Sequence, residues 1–284
     1  MLVITTAIKT VDTTANLLQA LVITSIVMLV GCGQTPERIT PHEMLNATLW
    51  QQTSAEYIGV TTQTYRLAQT NLDQALADTS WTAALEQTGD YSGLPPAIML
   101  DIDETVLDNG PYEALIIKKL GSYSPASFAE WCQHENAPLV PGVRTFLEHA
   151  IAQNVAVFYY SARREKLRAC TSRNMHELGL PLPDDSQLLL HNDTNKSRYR
   201  EMVAKHYRIL LLIGDNLEDF VSGSKSDPAS RRQLALEHAD QWGRQWIVLP
   251  NSIYGHWEAS MYNFDYRLPR DEQLRLKLQH LQER

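Results

Sequence analysis

The sequence predicts an α/β fold, a doubly wound parallel sheet with a small insertion after its first strand and a helical extension before it. Short apolar runs at 97–100, 155–160, 209–213 and 246–249 each end in polar or turn-forming residues, and 188–190 is a weaker fifth. Helical patterns lie between them at 143–153, 164–178, 197–206 and 228–242. Strands alternating with helices at this spacing build a parallel sheet, whose buried strands read as continuous apolar runs.

Taken in order, residues 1–31 contain one basic and one acidic residue, Lys9 and Asp12, and the stretch 17–30 is apolar apart from Gln19, Thr24 and Ser25. That run is shorter than the roughly 20 residues a membrane-spanning helix needs, and it suits the apolar region of a signal peptide. The polar, proline-containing stretch 32–41 reads as a tether, and 42–92 as a helical extension. Tyr57, Val60, Leu67, Ala68, Leu72, Ala75 and Leu76 mark one face there, read as packing without chemistry. The core then runs from 93 to 284, with an insertion near 110–141 that is too long for an ordinary βα loop. A net charge of −8 argues against non-specific binding to nucleic acid. Of the cysteines, Cys132 and Cys170 read as structural; a single disulfide between them is an option in an oxidising compartment, and no metal-ligand spacing is present.

The chemistry gathers at 101–109, Asp-Ile-Asp-Glu-Thr-Val-Leu-Asp-Asn. Asp101 and Asp103 close the first strand, at the end where open α/β sheets place their ligands. Two residues apart on extended backbone, they point to the same side. Carboxylates that close repel unless a cation or a shared proton intervenes, so the pair asks for a metal ion and for one carboxyl able to hold a proton. Neighbouring carboxylates are expected to raise the pKa of Asp103. Ser161 closes the second run, Gly214-Asp215 closes the 209–213 run with Asp219 four residues on, and Lys196 precedes a helix. A lone Ser at a strand end or Lys before a helix is ordinary. A buried strand delivering Gly-Asp and a second Asp is not.

Asp101-Ile102-Asp103-Glu104-Thr105 resembles the D-x-D-x-T motif of the haloacid dehalogenase (HAD) superfamily, and the longer run through Asn109 resembles the class C acid phosphatases, bacterial surface lipoproteins that act as 5′-nucleotidases. Ser161, Lys196 and Gly214-Asp215 with Asp219 match the later motifs in order. The resemblance implies a HAD-like fold and a Mg²⁺-dependent acid phosphatase. Asp101 would be the nucleophile and Asp103 the acid and base, with Ser161 and Lys196 on the phosphoryl group. Mg²⁺ would sit on Asp101, the Asp103 carbonyl and Asp215, with Asp219 holding metal-bound waters. The second Asp of the motif separates phosphatases from dehalogenases, whose halide leaving group needs no proton.

The same resemblance makes 110–141 a small cap, and Trp131 and Tyr254 the aromatic residues that sandwich a nucleobase. The substrate class is then phosphomonoesters, nucleoside 5′-monophosphates foremost and nicotinamide mononucleotide among them. Leu29-Val30-Gly31-Cys32 resembles a lipobox, which implies a lipid anchor on Cys32 and, with Gly33 following, an outer membrane. Ala162 departs from the family pattern, where Asn often precedes the Arg. Two alternatives stay open: a non-catalytic haem- or ligand-binding surface lipoprotein, and a phosphotransferase that passes phosphate to an alcohol.

Overall fold

The computed structural model describes residues 42–182, 185–191 and 195–283. The expected signal peptide, the tether and Cys32 lie outside them. From His42 onward the chain forms one compact unit. Its centre is a five-stranded parallel sheet of β1 (Pro96–Leu100), β2 (Ala156–Arg164), β3 (Leu188–His191), β4 (Arg208–Gly214) and β5 (Trp246–Val248), in the order β3-β2-β1-β4-β5. The chain winds outward from β1 in one direction and returns through β4 in the other. The switch point between β1 and β4 is therefore the crevice where such sheets bind ligands.

Period-two alternation sorts the strand residues onto two cores. Ile98, Leu100, Val157, Tyr159, Ile213 and Ile247 face one side, and Ala97, Met99, Phe158, Tyr160, Leu212 and Trp246 the other. The first side is covered by α2 (Ala55–Ala77), α5 (Val143–Ala152) and α6 (Arg168–Glu177). The second is covered by α7 (Lys196–Ala204), with Leu234 of α8 (Pro228–Glu237) packed at its margin.

The helical extension is two helices, α1 (Leu45–Thr53) and α2. Ser54 breaks them: it is extended (φ −82°, ψ 139°) and its side chain accepts from Tyr57 N–H, which caps α2. The extension grips the core. Tyr65 Oη donates to the carbonyl of Thr105 (2.6 Å), Gln51 Nε2 to Asp108 Oδ1 (2.6 Å) and Trp81 Nε1 to the carbonyl of Leu210 (2.8 Å). The insertion contains α3 (Gly110–Lys118) and α4 (Pro125–Cys132), the latter capped by Ser124. Cys132, the last residue of α4, is disulfide-bonded to Cys170 in α6. Strand β2 runs on to Arg164, past Ser161 where the apolar run stops, and β3 pairs with that extra length at Arg164. Helices α9 (His256–Ala259) and α10 (Arg270–Gln279) close the chain. Among the described residues no helix is long and apolar enough to cross a membrane.

Candidate active site

β1 and β4 are adjacent and parallel, so their C-terminal ends deliver Asp101 and Asp215 side by side. Carboxylate oxygens of Asp101, Asp215 and Asp219 all lie within 4.8 Å of one another. Asp219 reaches the group from the short turn Leu217–Asp219, because Gly214 lets it approach: a Cβ on Gly214 would stand 2.1 Å from Asp219 Oδ2. That oxygen accepts from Asn216 N–H (2.8 Å), and Asn251 Nδ2 donates to Asp215 Oδ2 (2.8 Å).

Lys196 is the first residue of α7, where its charge opposes the helix dipole and needs an anion nearby. Its Nζ donates to Asp101 Oδ1 and to Asp219 Oδ1, both at 2.5 Å. Burial of the Lys196 ammonium would push its pKa down, but Asp101 and Asp219 raise it well above the ordinary value. For Asp101, only 4% exposed, burial outweighs Lys196, and with repulsion from Asp219, Asp215 and Asp103 it raises the carboxyl well above its usual range. Burial and Asp219 push Asp215 up to about 8. Three hard oxygen donors in mutual repulsion, offset by one ammonium, fit a hard divalent cation. Both oxygens of Asp219 are already engaged, by Lys196 and by Asn216.

Asp103 stands apart from that trio and is held in another way. Arg163 grips its carboxylate with Nε and Nη2 (3.0 and 2.8 Å to Oδ1), Asn109 Nδ2 donates to Oδ1 (2.6 Å) and Ser161 Oγ donates to Oδ2 (3.1 Å). Burial pushes this carboxyl up, but the Arg163 guanidinium and the bonds from Arg163, Asn109 and Ser161 bring it below its usual range. The expectation that neighbouring carboxylates raise Asp103 is thus corrected: a charged fork in contact outweighs carboxylates it does not touch. Ser161, expected to hold a phosphoryl oxygen, here bonds Asp103 and accepts from Arg163 N–H (3.0 Å).

Two further residues shape this loop. Glu104 is buried and has φ +55°, a conformation that costs a non-glycine residue on the order of 1 kcal/mol. Asn109 stabilises it: the Asn109 N–H and Nδ2 donate to the two Glu104 oxygens (2.8 and 3.0 Å). Tyr254 Oη also donates to Glu104 Oε2. Tyr254 is therefore brought to the site, half-buried, through its hydroxyl. Trp131 is brought to the cap instead, only 8% exposed between Tyr112 and Phe128, with ring centroids 5.6 and 5.5 Å away. Trp131 thus packs within the insertion, while Tyr254 stands at the Asp103–Glu104 loop. Tyr123, edge-on to Tyr112 at 6.3 Å and 62% exposed, is the open aromatic of that cluster. Glu104, Asn109 and Arg163, which contact Asp103 or its partners, were missed as site residues. All three stood inside recognised motifs, which was the available signal.

The family model described as HAD superfamily, subfamily IIIB (acid phosphatase) matches residues 19–257. The class C acid phosphatase of Bacillus anthracis is similar in structure: TM-score 0.77 at 31% identity, over 85% of this chain and 97% of that one. The same enzyme with tungstate bound gives 0.76 at 30% identity, with the same coverage. Acid phosphatase 1 of Solanum lycopersicum is 27% identical over 137 residues, 45% of this chain, and the chain spans 53% of that relative's length.

Proposed function

The chain belongs to the acid phosphatases of HAD subfamily IIIB, and from that premise we propose that it hydrolyses phosphomonoesters with Mg²⁺ through an aspartyl-phosphate on Asp101. The observation that carries the reading is the set at the β1–β4 switch point: buried Asp101 bonded to Lys196, with half-buried Asp103 two residues on held by its own partners. Asp101 attacks phosphorus while the ester P–O bond breaks. The Asp103 carboxyl gives its proton to the departing oxygen and later takes one from the attacking water. Lys196 neutralises charge on the nucleophile and the phosphoryl oxygens. Ser161 reaches the phosphoryl group by turning from Asp103. Asp101, Asp215 and the Asp103 carbonyl would hold Mg²⁺, with Asp219 behind them; when bound, it neutralises phosphoryl charge.

A carboxyl held low by Arg163 keeps its proton best in acid, which agrees with the family's name. The substrates are nucleoside 5′-monophosphates, nicotinamide mononucleotide included. Tyr254 and the open ring of Tyr123 take the base, and Trp131 packs beneath. Stacking tolerates every base because every base has a π-face. The mature chain is held on an outer membrane by lipid at Cys32, which radiolabelled palmitate incorporation, lost in Cys32→Ala, would test. Phosphate release from nucleotides, sugar phosphates and aryl phosphates, with and without Mg²⁺, tests the catalytic reading. Release that persists undiminished in excess chelator overturns the metal assignment.

A further inference from the structure

Arg163 comes from the far end of β2, 60 residues from Asp103, and is only 4% exposed. All of its nitrogens are committed. Nε and Nη2 hold Asp103, Nη2 also donates to Asn109 Oδ1 (3.3 Å), and Nη1 donates to Thr171 Oγ1 in α6 (3.0 Å). The guanidinium carbon lies 5.2 Å from the ring centroid of Phe128 in α4. Beside it, α6 is tied to the end of α4 and to the segment that follows it. Cys132 bonds Cys170, Asn174 Oδ1 accepts from Ala137 N–H (3.0 Å) while its Nδ2 donates to the Ala137 carbonyl (3.1 Å), and Arg173 pairs with Glu135 (2.7 Å).

The two oxygens of Asp103 are not equivalent in this grip. Oδ1 accepts from Arg163 Nε, Arg163 Nη2 and Asn109 Nδ2, which fills it. Oδ2 accepts from Ser161 and only a longer bond (3.3 Å) from Nε. Oδ2 is therefore the oxygen able to carry a proton, and the fork sets where it points.

We propose that Arg163 is the positioning residue for proton donation by Asp103, holding Oδ2 toward the leaving oxygen and tying that orientation to the seating of the cap through Thr171 and Phe128. This rests on the reading of Asp103 as the acid. In the step it serves, the Asp101–phosphorus bond forms and the ester P–O bond breaks. The Asp103 proton passes to the leaving oxygen, so an alcohol departs and a carboxylate remains.

The test is a leaving-group series on the full chain. An alkoxide needs the proton, whereas 4-nitrophenolate leaves without it. Arg163→Ala should lower kcat/KM, which reports steps only through alcohol release, by about tenfold or more on glycerol phosphate, and lower it far less on 4-nitrophenyl phosphate. Arg163→Lys keeps the charge without the fork and should fall between. Thr171→Ala should show the same order of substrates, more weakly. These two variants carry the test if Arg163→Ala does not fold. Equal losses on both substrates, or none, would overturn the positioning role. Asp103→Asn separates the two claims in kcat/KM, which leaves out the water step both substrates share: a graded loss upholds the acid, and an equal loss on both substrates removes it, whatever Arg163 does.

Discussion

Lys196 Nζ lies 2.5 Å from Asp101 Oδ1, and this pair joins the first residue of a helix to the last turn-out of the central strand. Asp101 is also crowded by Asp215 and Asp219. Asp101→Asn therefore removes a repelled charge and keeps the shape. It should abolish phosphate release, while the thermal midpoint falls by no more than a few degrees. Lys196→Met should instead lower both, because it leaves two buried carboxylates without their cation. Melting curves beside activity for the two variants check this.

The Cys132–Cys170 bond closes a 38-residue separation between the cap and α6. Chain-entropy arguments put such a crosslink at about 4 kcal/mol, with measured values commonly about 2–4. The double variant Cys132→Ala/Cys170→Ala should lose about that much in urea denaturation. An unchanged midpoint would show that the neighbouring Asn174–Ala137 bonds suffice.

Glu113 in α3 is buried at 4% exposure, and its Oε2 meets no partner among the described residues. Burial, Glu258 and Asp103 push its carboxyl up to about 8. Glu104, Tyr254, Tyr112 and Tyr123 also face it, and Lys277 pairs with Glu258. The folded chain thus keeps a proton that the unfolded chain releases above 4.5. Its stabilising contribution is complete below 4.5 and lost as pH rises toward 8, with a limiting slope of about 1.4 kcal/mol per pH unit. Urea midpoints across that window should fall for the wild type. Glu113→Gln should flatten the slope.

Tyr254 and Trp131 should separate by substrate. Tyr254→Ala should lower kcat/KM for AMP by about tenfold, the equivalent of 1.4 kcal/mol, and affect a small alkyl phosphate less. Trp131→Ala should act alike on both substrates and destabilise the fold, by about 3–5 kcal/mol for a buried Trp. Equal losses for Tyr254→Ala would remove the stacking role from it.

How much of this was legible beforehand follows from how local each feature is. The strands were legible because burial on both faces writes itself as an unbroken apolar run, as in 209–213. Asp101 with Asp103, and Gly214-Asp215 with Asp219, were legible because strand period and a close-packed glycine act over a few residues. Lys196 and Ser161 carried no local signal of their own and came into view through resemblance. Tertiary structure alone decided the rest. A guanidinium 60 residues away helps, against burial, to hold the Asp103 carboxyl below its usual range, and no spacing encodes which carboxylate an arginine will meet. Likewise an aromatic ring looks the same in sequence whether it is packed, as Trp131 is, or open, as Tyr123 is. Burial is a property of what surrounds a residue, so it exists only once the chain has folded.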